Sequence, residues 1–205
     1  MTLFPAFLKL ENRQVIIIGG GALAESKLPG LLEAGARVRI ISPRLNPNLQ
    51  AQLRANNFDW WPKLYEPGDL AGAFLVIAAT SIPEVNAAVF QEAEARNILC
   101  NAVDDIEHCH FYYGSIVQRG DLQIAISTNG KSPALAQRLR QELEEYFGPE
   151  YATWLEWLGA ARQILRAQNS EPELTKRWLH LLASRPMFEK FLREAASPNS
   201  KEGAA

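Results

Sequence analysis

Gln14-Val15-Ile16-Ile17-Ile18-Gly19-Gly20-Gly21-Ala22-Leu23-Ala24 is the stretch on which the reading of the chain turns. The unbroken β-branched run Val15-Ile16-Ile17-Ile18 describes a strand covered on both faces, as strands of a parallel sheet are. It runs straight into glycines, so a tight turn and then a helix over 22–34 are expected. Leu23, Leu28, Leu31 and Leu32 fall on related turns, and Gly35 stands where the helix must stop. Pro29 has no amide hydrogen and crowds the turn before it, which predicts a kink or a displaced helix at Glu25-Ser26.

Working outward, the same alternation repeats. The pattern predicts strands at 37–41, 58–62, 74–79 and 98–103, with helices near 46–55 and 85–96 between them. Strands separated by helices at this spacing form a doubly wound parallel sheet with both faces covered. After Asp105 the rhythm breaks: two strands, 111–117 and 122–127, follow one another across Gln118-Arg119-Gly120-Asp121, a hairpin connection. Ser132-Pro133 then opens a helix to about Phe147, serine as cap and proline in its first turn. The pattern stays helical over 151–195, with polar 168–172 separating two helices, and the small, polar 198–205 reads as a disordered tail.

At 205 residues, 47% apolar, the chain can bury a substantial core. Its apolar runs fall well short of the roughly 20 residues that span a bilayer, and no secretory leader is apparent, so a cytoplasmic location is expected. A formal net charge of −2 argues against a nucleic-acid binder. Two cysteines, Cys100 and Cys109, supply neither a disulfide framework nor a four-ligand zinc site. His108-Cys109-His110 invites a metal reading, but adjacent side chains diverge along the backbone, so structural use is favoured and no metal site is assigned.

Gly19, Gly21 and Ala24 match the dinucleotide fingerprint with alanine in its third place. The first glycine permits the turn, the second lets backbone approach a pyrophosphate, and the small third residue lets helix and strand pack. The amides of the first helical turn then face the phosphates. Beyond the second strand, where an acidic residue usually meets the ribose, stand Ser42, Pro43 and Arg44. Serine can hydrogen-bond a ribose and arginine can accept a 2′-phosphate, which leaves NAD and NADP open at this position. Asn101-Ala102-Val103-Asp104-Asp105 ends the fifth strand on the edge where such sheets bind ligands. Ser127-Thr128-Asn129-Gly130-Lys131-Ser132 leads into a helix N-terminus, with Arg138 and Arg140 nearby, and suits an anion such as a carboxylate.

Together with Phe4-Pro5-Ala6-Phe7-Leu8, Lys27, Glu33-Ala34-Gly35-Ala36-Arg37-Val38, Phe74-Leu75-Val76-Ile77-Ala78-Ala79-Thr80, Asn86 and the block Ala125 to Ala136, these motifs carry a family resemblance. Over about residues 3 to 147 the chain resembles the N-terminal module of the siroheme-synthase family. These are precorrin-2 dehydrogenases, some of which are also sirohydrochlorin ferrochelatases. The resemblance implies NAD-dependent removal of two hydrogens from precorrin-2 to give sirohydrochlorin, with insertion of Fe2+ in bifunctional members. It puts Asp104 on the catalytic aspartate, and Gly19, Gly21, Ala22, Leu23, Ser42, Pro43, Arg44, Ala79 and Thr80 at the cofactor. Thr128, Asn129, Lys131 and Arg138 are the expected substrate contacts.

The resemblance further implies a homodimer, with a small-molecule tetrapyrrole as partner, no nucleic acid and no membrane. The expected layout is an NAD-binding Rossmann-like domain at 1–112, a small α+β dimerisation region at 113–148, a helical domain at 149–196 and a tail at 197–205. With no methyltransferase module following, a stand-alone enzyme is expected. Departures from the family pattern are Ser26 for an arginine, Pro29 in the first helix, Arg44, and Asn129 for a glycine. The competing reading is a module that binds NAD(H) and signals through its helices without chemistry; another Rossmann dehydrogenase is a third.

Overall fold

A computed structural model describes residues 2–55, 58–103, 105–168 and 171–195. Its chain divides into two compact units, Met1–Tyr113 and Gly114–Ala205.

In the first unit, β1 (Gln14–Ile18), β2 (Arg37–Ile41), β3 (Asp59–Trp61), β4 (Leu75–Ala78) and β5 (Leu99–Ala102) form one parallel sheet in the order β3-β2-β1-β4-β5. Strand alternation divides the apolar side chains between two cores. Val15, Ile17, Val38, Ile40, Leu75 and Ile77 meet Ala24, Leu28 and Leu31 of α1 (Ala22–Glu33) and Leu49 of α2 (Pro47–Leu53). Ile16, Ile18, Ile41, Val76 and Ala78 meet Val89 and Ala93 of α3 (Pro83–Ala95). Each large aliphatic side chain buried this way contributes about 1.5–3 kcal/mol, so both faces are held and the expected Rossmann-like doubly wound sheet is what forms. Its order reverses between β1 and β4, and open α/β sheets bind ligands at the carboxyl end of such a reversal.

Local chemistry sets the element ends. Helix α1 runs unbroken through Pro29, without the displacement expected at Glu25-Ser26, and the Ser26 hydroxyl donates to the Leu23 carbonyl at 2.8 Å. It stops in a Schellman turn: Ala36 N–H donates to Leu31 and Gly35 N–H to Leu32, with Gly35 at φ +74°. Asn46 caps α2 through Leu49 N–H at 2.8 Å, and Pro83 opens α3 earlier than the apolar pattern suggested.

In the second unit, β6 (Ser115–Arg119) and β7 (Leu122–Ile126) form an antiparallel hairpin, followed by α4 (Pro133–Tyr146), α5 (Glu150–Ala167), α6 (Pro172–Leu182) and α7 (Arg185–Ala195). Two expectations need correction. The first hairpin strand covers Ser115–Arg119 instead of 111–117, because Gly120 at φ +56° makes a shorter turn. The segment after β5 instead folds back on that strand, where Cys109 bridges Asn101 and His110 N–H donates to Cys100 O at 2.8 Å.

The helical stretch also breaks once more than expected, at Ala183-Ser184, where Pro186 sits in the first turn of α7. Trp154, Tyr151 and Phe188 pack together there, with Trp154–Phe188 ring centroids 4.7 Å apart and Tyr151–Phe188 4.4 Å apart. Among the described residues no helix is long and apolar enough to cross a membrane. The expected tail at 197–205 lies outside the described residues.

Candidate dinucleotide site

Gly19 lies at the reversal of strand order. Its φ of +117° is a conformation L side chains rarely adopt, and a Cβ there would stand 2.4 Å from the Ala79 carbonyl oxygen. Its N–H donates to Ile41 O at 2.9 Å, while Ala79 N–H donates to Ile18 O at 2.8 Å. The turn therefore sits wedged between the ends of β2 and β4. Gly20 is excluded from having a side chain by the second-strand loop, since its Cβ would meet Arg44 O at 2.2 Å.

A Cβ on Gly21, in contrast, would meet nothing within 4 Å. Gly21 is the N-cap of α1 and offers no side-chain cap, so the first-turn amides, which no helical carbonyl can reach, face this open side. Ala22 and Leu23 are exposed beside it, and Ala24 is fully buried against the sheet. An anionic, backbone-recognised group fits this cradle, and dinucleotide pyrophosphate is such a group.

Two side-chain locks hold the flanking loops. Ser42 is buried; its hydroxyl donates to Arg44 O at 2.7 Å and its carbonyl accepts from Trp60 Nε1 at 2.9 Å. Asn46 N–H donates to Gly20 O at 2.8 Å, and the Asn46 and Asn48 side chains both donate to Glu25 of α1, at 2.5 and 2.7 Å. Pro43 and Arg44 are left exposed on this loop, and among the described residues Arg44 has no ion-pair partner. After β4, Thr80 Oγ1 donates to Asn86 Oδ1 at 2.7 Å while Asn86 Nδ2 donates to Thr80 O at 3.1 Å, so buried Asn86 pins that loop. Lys27 of α1 lies 4.0 Å over the Tyr113 ring.

Asp104 lies outside the described residues. On either side of it, Asn101 and Cys109 act as clamps. Buried Asn101 donates to Phe111 O at 2.9 Å, and Cys109 Sγ lies 3.1 Å from Ala102 O and 3.0 Å from Asp105 O. Burial raises the Cys109 thiol above its ordinary pKa, which keeps the proton that these bonds need. Burial likewise pushes Cys100 up to about 12. The His110 ring accepts from Cys100 N–H at Nδ1, 2.9 Å, so its proton sits on Nε2, which pairs with Glu94. His108 Nδ1 meets the Asp105 carboxylate at 2.6 Å, and this bond holds Asp105 below the usual carboxylate range. His108, Cys109 and His110 thus each make hydrogen bonds of their own.

In the second unit, Thr128 Oγ1 accepts from Ser132 N–H at 3.1 Å, and Thr128 O accepts from Lys131 N–H at 3.1 Å. Asn129 sits at φ +53°, a conformation asparagine tolerates better than most residues, which accounts physically for its replacing a glycine. Ser132 caps α4 through Leu135 N–H at 3.2 Å, as expected. Lys131 is exposed, and Arg138 pairs with Glu142 at 3.1 Å on the surface. The residues that sequence reasoning left without a role are Gly20, Glu25, Asn46, Asn48 and the Asn101 clamp. An asparagine near the end of a buried apolar strand was the available signal for Asn101.

A family described as putative NAD(P)-binding matches residues 6–115, which contain this whole sheet. The chain belongs to that family. A second, sirohaem biosynthesis protein central, matches residues 119–146, covering most of the hairpin and α4. Siroheme synthase 1 of Aeromonas salmonicida (strain A449) is 38% identical over 201 residues, 97% of this chain and 43% of that protein. The siroheme synthase of Methylobacillus flagellatus is 39% identical over 170 residues, 83% of this chain and 36% of that protein. The chain therefore spans less than half the length of these relatives, and the siroheme-synthase resemblance read from the sequence is shown. Among solved structures, SirC, precorrin-2 dehydrogenase, shares the fold with a TM-score of 0.77 at 23% identity, covering 94% of this chain and 98% of that one.

Proposed function

We propose that this chain dehydrogenates precorrin-2 to sirohydrochlorin with NAD as acceptor, in siroheme synthesis. The observation that carries the reading is the β1–β4 junction, where Gly19 is wedged under the Ala79 carbonyl while Gly21 faces open space at the start of α1. Similarity to siroheme synthases and a fold shared with a precorrin-2 dehydrogenase support the choice of reaction.

In this reading Gly19, Gly21, Ala22 and Leu23 receive the pyrophosphate on backbone amides. Ser42 shapes the second-strand loop so that Pro43 and Arg44 border the adenosine ribose, and Ala79 and Thr80 border the nicotinamide side. NAD, when bound, supplies the acceptor for the hydride half of the two hydrogens that precorrin-2 loses. Asp104 is the base that takes the accompanying proton. Thr128, Asn129, Lys131 and Arg138 hold substrate carboxylates by charge-assisted bonds. The reading extends to a cytoplasmic homodimer joined through 113–148, with 149–196 as a helical domain.

The test is purified chain with NAD and precorrin-2, followed by the absorbance of sirohydrochlorin. Asp104→Asn is expected to lower kcat about 10²–10³-fold with NAD affinity retained; wild-type turnover by this variant refutes the role. NAD binding with no turnover in the wild type would favour the sensor reading instead. Fe2+ added to the same assay, as second substrate, separates a dehydrogenase from a bifunctional enzyme. Arg44→Ala is expected to leave NAD affinity within about twofold and to weaken NADP about tenfold, the worth of one charge-assisted contact.

A further inference from the structure

We infer that the cleft between α5 and α6 binds an anion carrying two or more carboxylates on an apolar body. The cleft has a volume of about 480 Å³, within the range of small-molecule sites. Arg162 and Arg166 line it from α5, Lys176 and His180 from α6, with Thr175 and Leu179 half-buried between them. All of these belong to the second unit, and none is a residue assigned above to cofactor or substrate.

The charges of this cleft are left unlike four on α4 and α7. There, each is matched by a glutamate one turn on: Arg138 with Glu142, Arg140 with Glu144, Arg185 with Glu189 and Lys190 with Glu194. Among the described residues, Arg162, Arg166, Lys176 and His180 have no such partner, and neither Glu171 nor Glu173 lines the cleft. Arg162 and Arg166 are instead a like-charged pair at i,i+4, an arrangement that works against an isolated helix. A concentration of basic groups in a concave site on a chain of net charge −2 focuses a local field for anions.

The spacing selects the kind of anion. Residues four apart on a helix are separated by about 6 Å along its axis, so each wall offers two anchor points instead of one convergent nest. A single phosphate would engage one of them. Carboxylates held apart on an apolar frame would engage both while covering Leu179, and guanidinium groups pair with carboxylates bidentately.

The probe is uroporphyrin I, an apolar macrocycle with eight carboxylates, titrated into the full chain and followed by quenching of its fluorescence. Citrate and inorganic phosphate serve as competitors. Saturable binding displaced by citrate is expected. The double variant Arg166→Glu/Lys176→Glu should weaken it about 100-fold, the milder Arg166→Gln about tenfold, and Lys190→Glu on α7 less than twofold. No saturable binding, binding untouched in both cleft variants, or displacement by phosphate at lower concentration than citrate would each overturn the inference. NAD calorimetry on the same preparations keeps the two readings apart. NAD affinity with anion binding untouched by the cleft variants sinks only the cleft, and anion binding weakened by those variants without NAD affinity sinks only the dehydrogenase.

Discussion

The loops after β1 and after β5 leave the same carboxyl edge of one sheet, yet they are held in opposite ways. The first is held by main chain: Gly19 N–H on Ile41 O, Asn46 N–H on Gly20 O, and contacts so close that neither glycine can carry a Cβ. The second is held by side chains, with Asn101 on Phe111 O, Cys109 between Ala102 O and Asp105 O, His110 on Cys100 N–H and His108 on Asp105. A loop fixed by backbone fails whole when one atom is added. A loop fixed by separate side-chain bonds loses them one at a time, so it can be altered in steps without endangering the fold.

The largest expected effect follows from the first half of that contrast. In Gly19→Ala the new Cβ must move Ala79 backbone that is itself bonded to Ile18, and the residue must hold a φ of +117°. Strain and overpacking together are expected to cost roughly 3 kcal/mol or more, seen as a lowered midpoint in urea, with NAD affinity reduced over about 100-fold by calorimetry. A variant that melts like wild type and still binds NAD would show that backbone closure does not set this site.

Asn101→Ala should act in the middle range. It leaves the Phe111 carbonyl without its donor at a site where Asn101 itself is buried, a loss of about 1–3 kcal/mol. Because the bond ties down the segment after Asp104, kcat is expected to fall several-fold while NAD affinity stays within about twofold. Equal losses in kcat and in NAD affinity would mean that the two loops are not separately held.

The same contrast accounts for what could be read beforehand. The β1 turn was legible because close backbone approach excludes a side chain at Gly19 and packing against the sheet keeps Ala24 small, and the alternation of buried strands with helices carried the sheet. Ser132-Pro133 announced α4 for a similar reason, since a cap and a proline leave few alternatives. The β5 clamp was not legible. Asn101, Cys109 and His110 are joined only because the segment after β5 folds back onto that strand, and a pattern read as a strand over 111–117 hid this return. The extra break at Ala183-Ser184 was missed because apolar spacing in α6 and α7 stays in phase across it, leaving Pro186 as the single cue. Glu25 with Asn46 and Asn48 could not be found from spacing, because it joins elements more than twenty positions apart.

The smallest effect belongs to the outermost of the β5 contacts and is a matter of pH. The hydrogen bond to His108 depresses the Asp105 pKa in the folded state. A carboxyl depressed on folding contributes stability that is present above its unfolded value, ordinarily about 3.9, and is lost as pH falls through the folded value. His108→Gln removes the largest cause of the depression, so wild type should exceed the variant most in mildly acidic to neutral buffer, with the gap closing on acidification. The pair is about two-thirds buried on each side, 31% and 33% exposed, so added salt should narrow the gap only in part. Thermal melts across pH 3 to 7 at two salt concentrations decide it. A constant offset at every pH would assign His108 to packing against Phe90, whose ring lies 5.0 Å away, and would leave Asp105 with no electrostatic part in holding this loop.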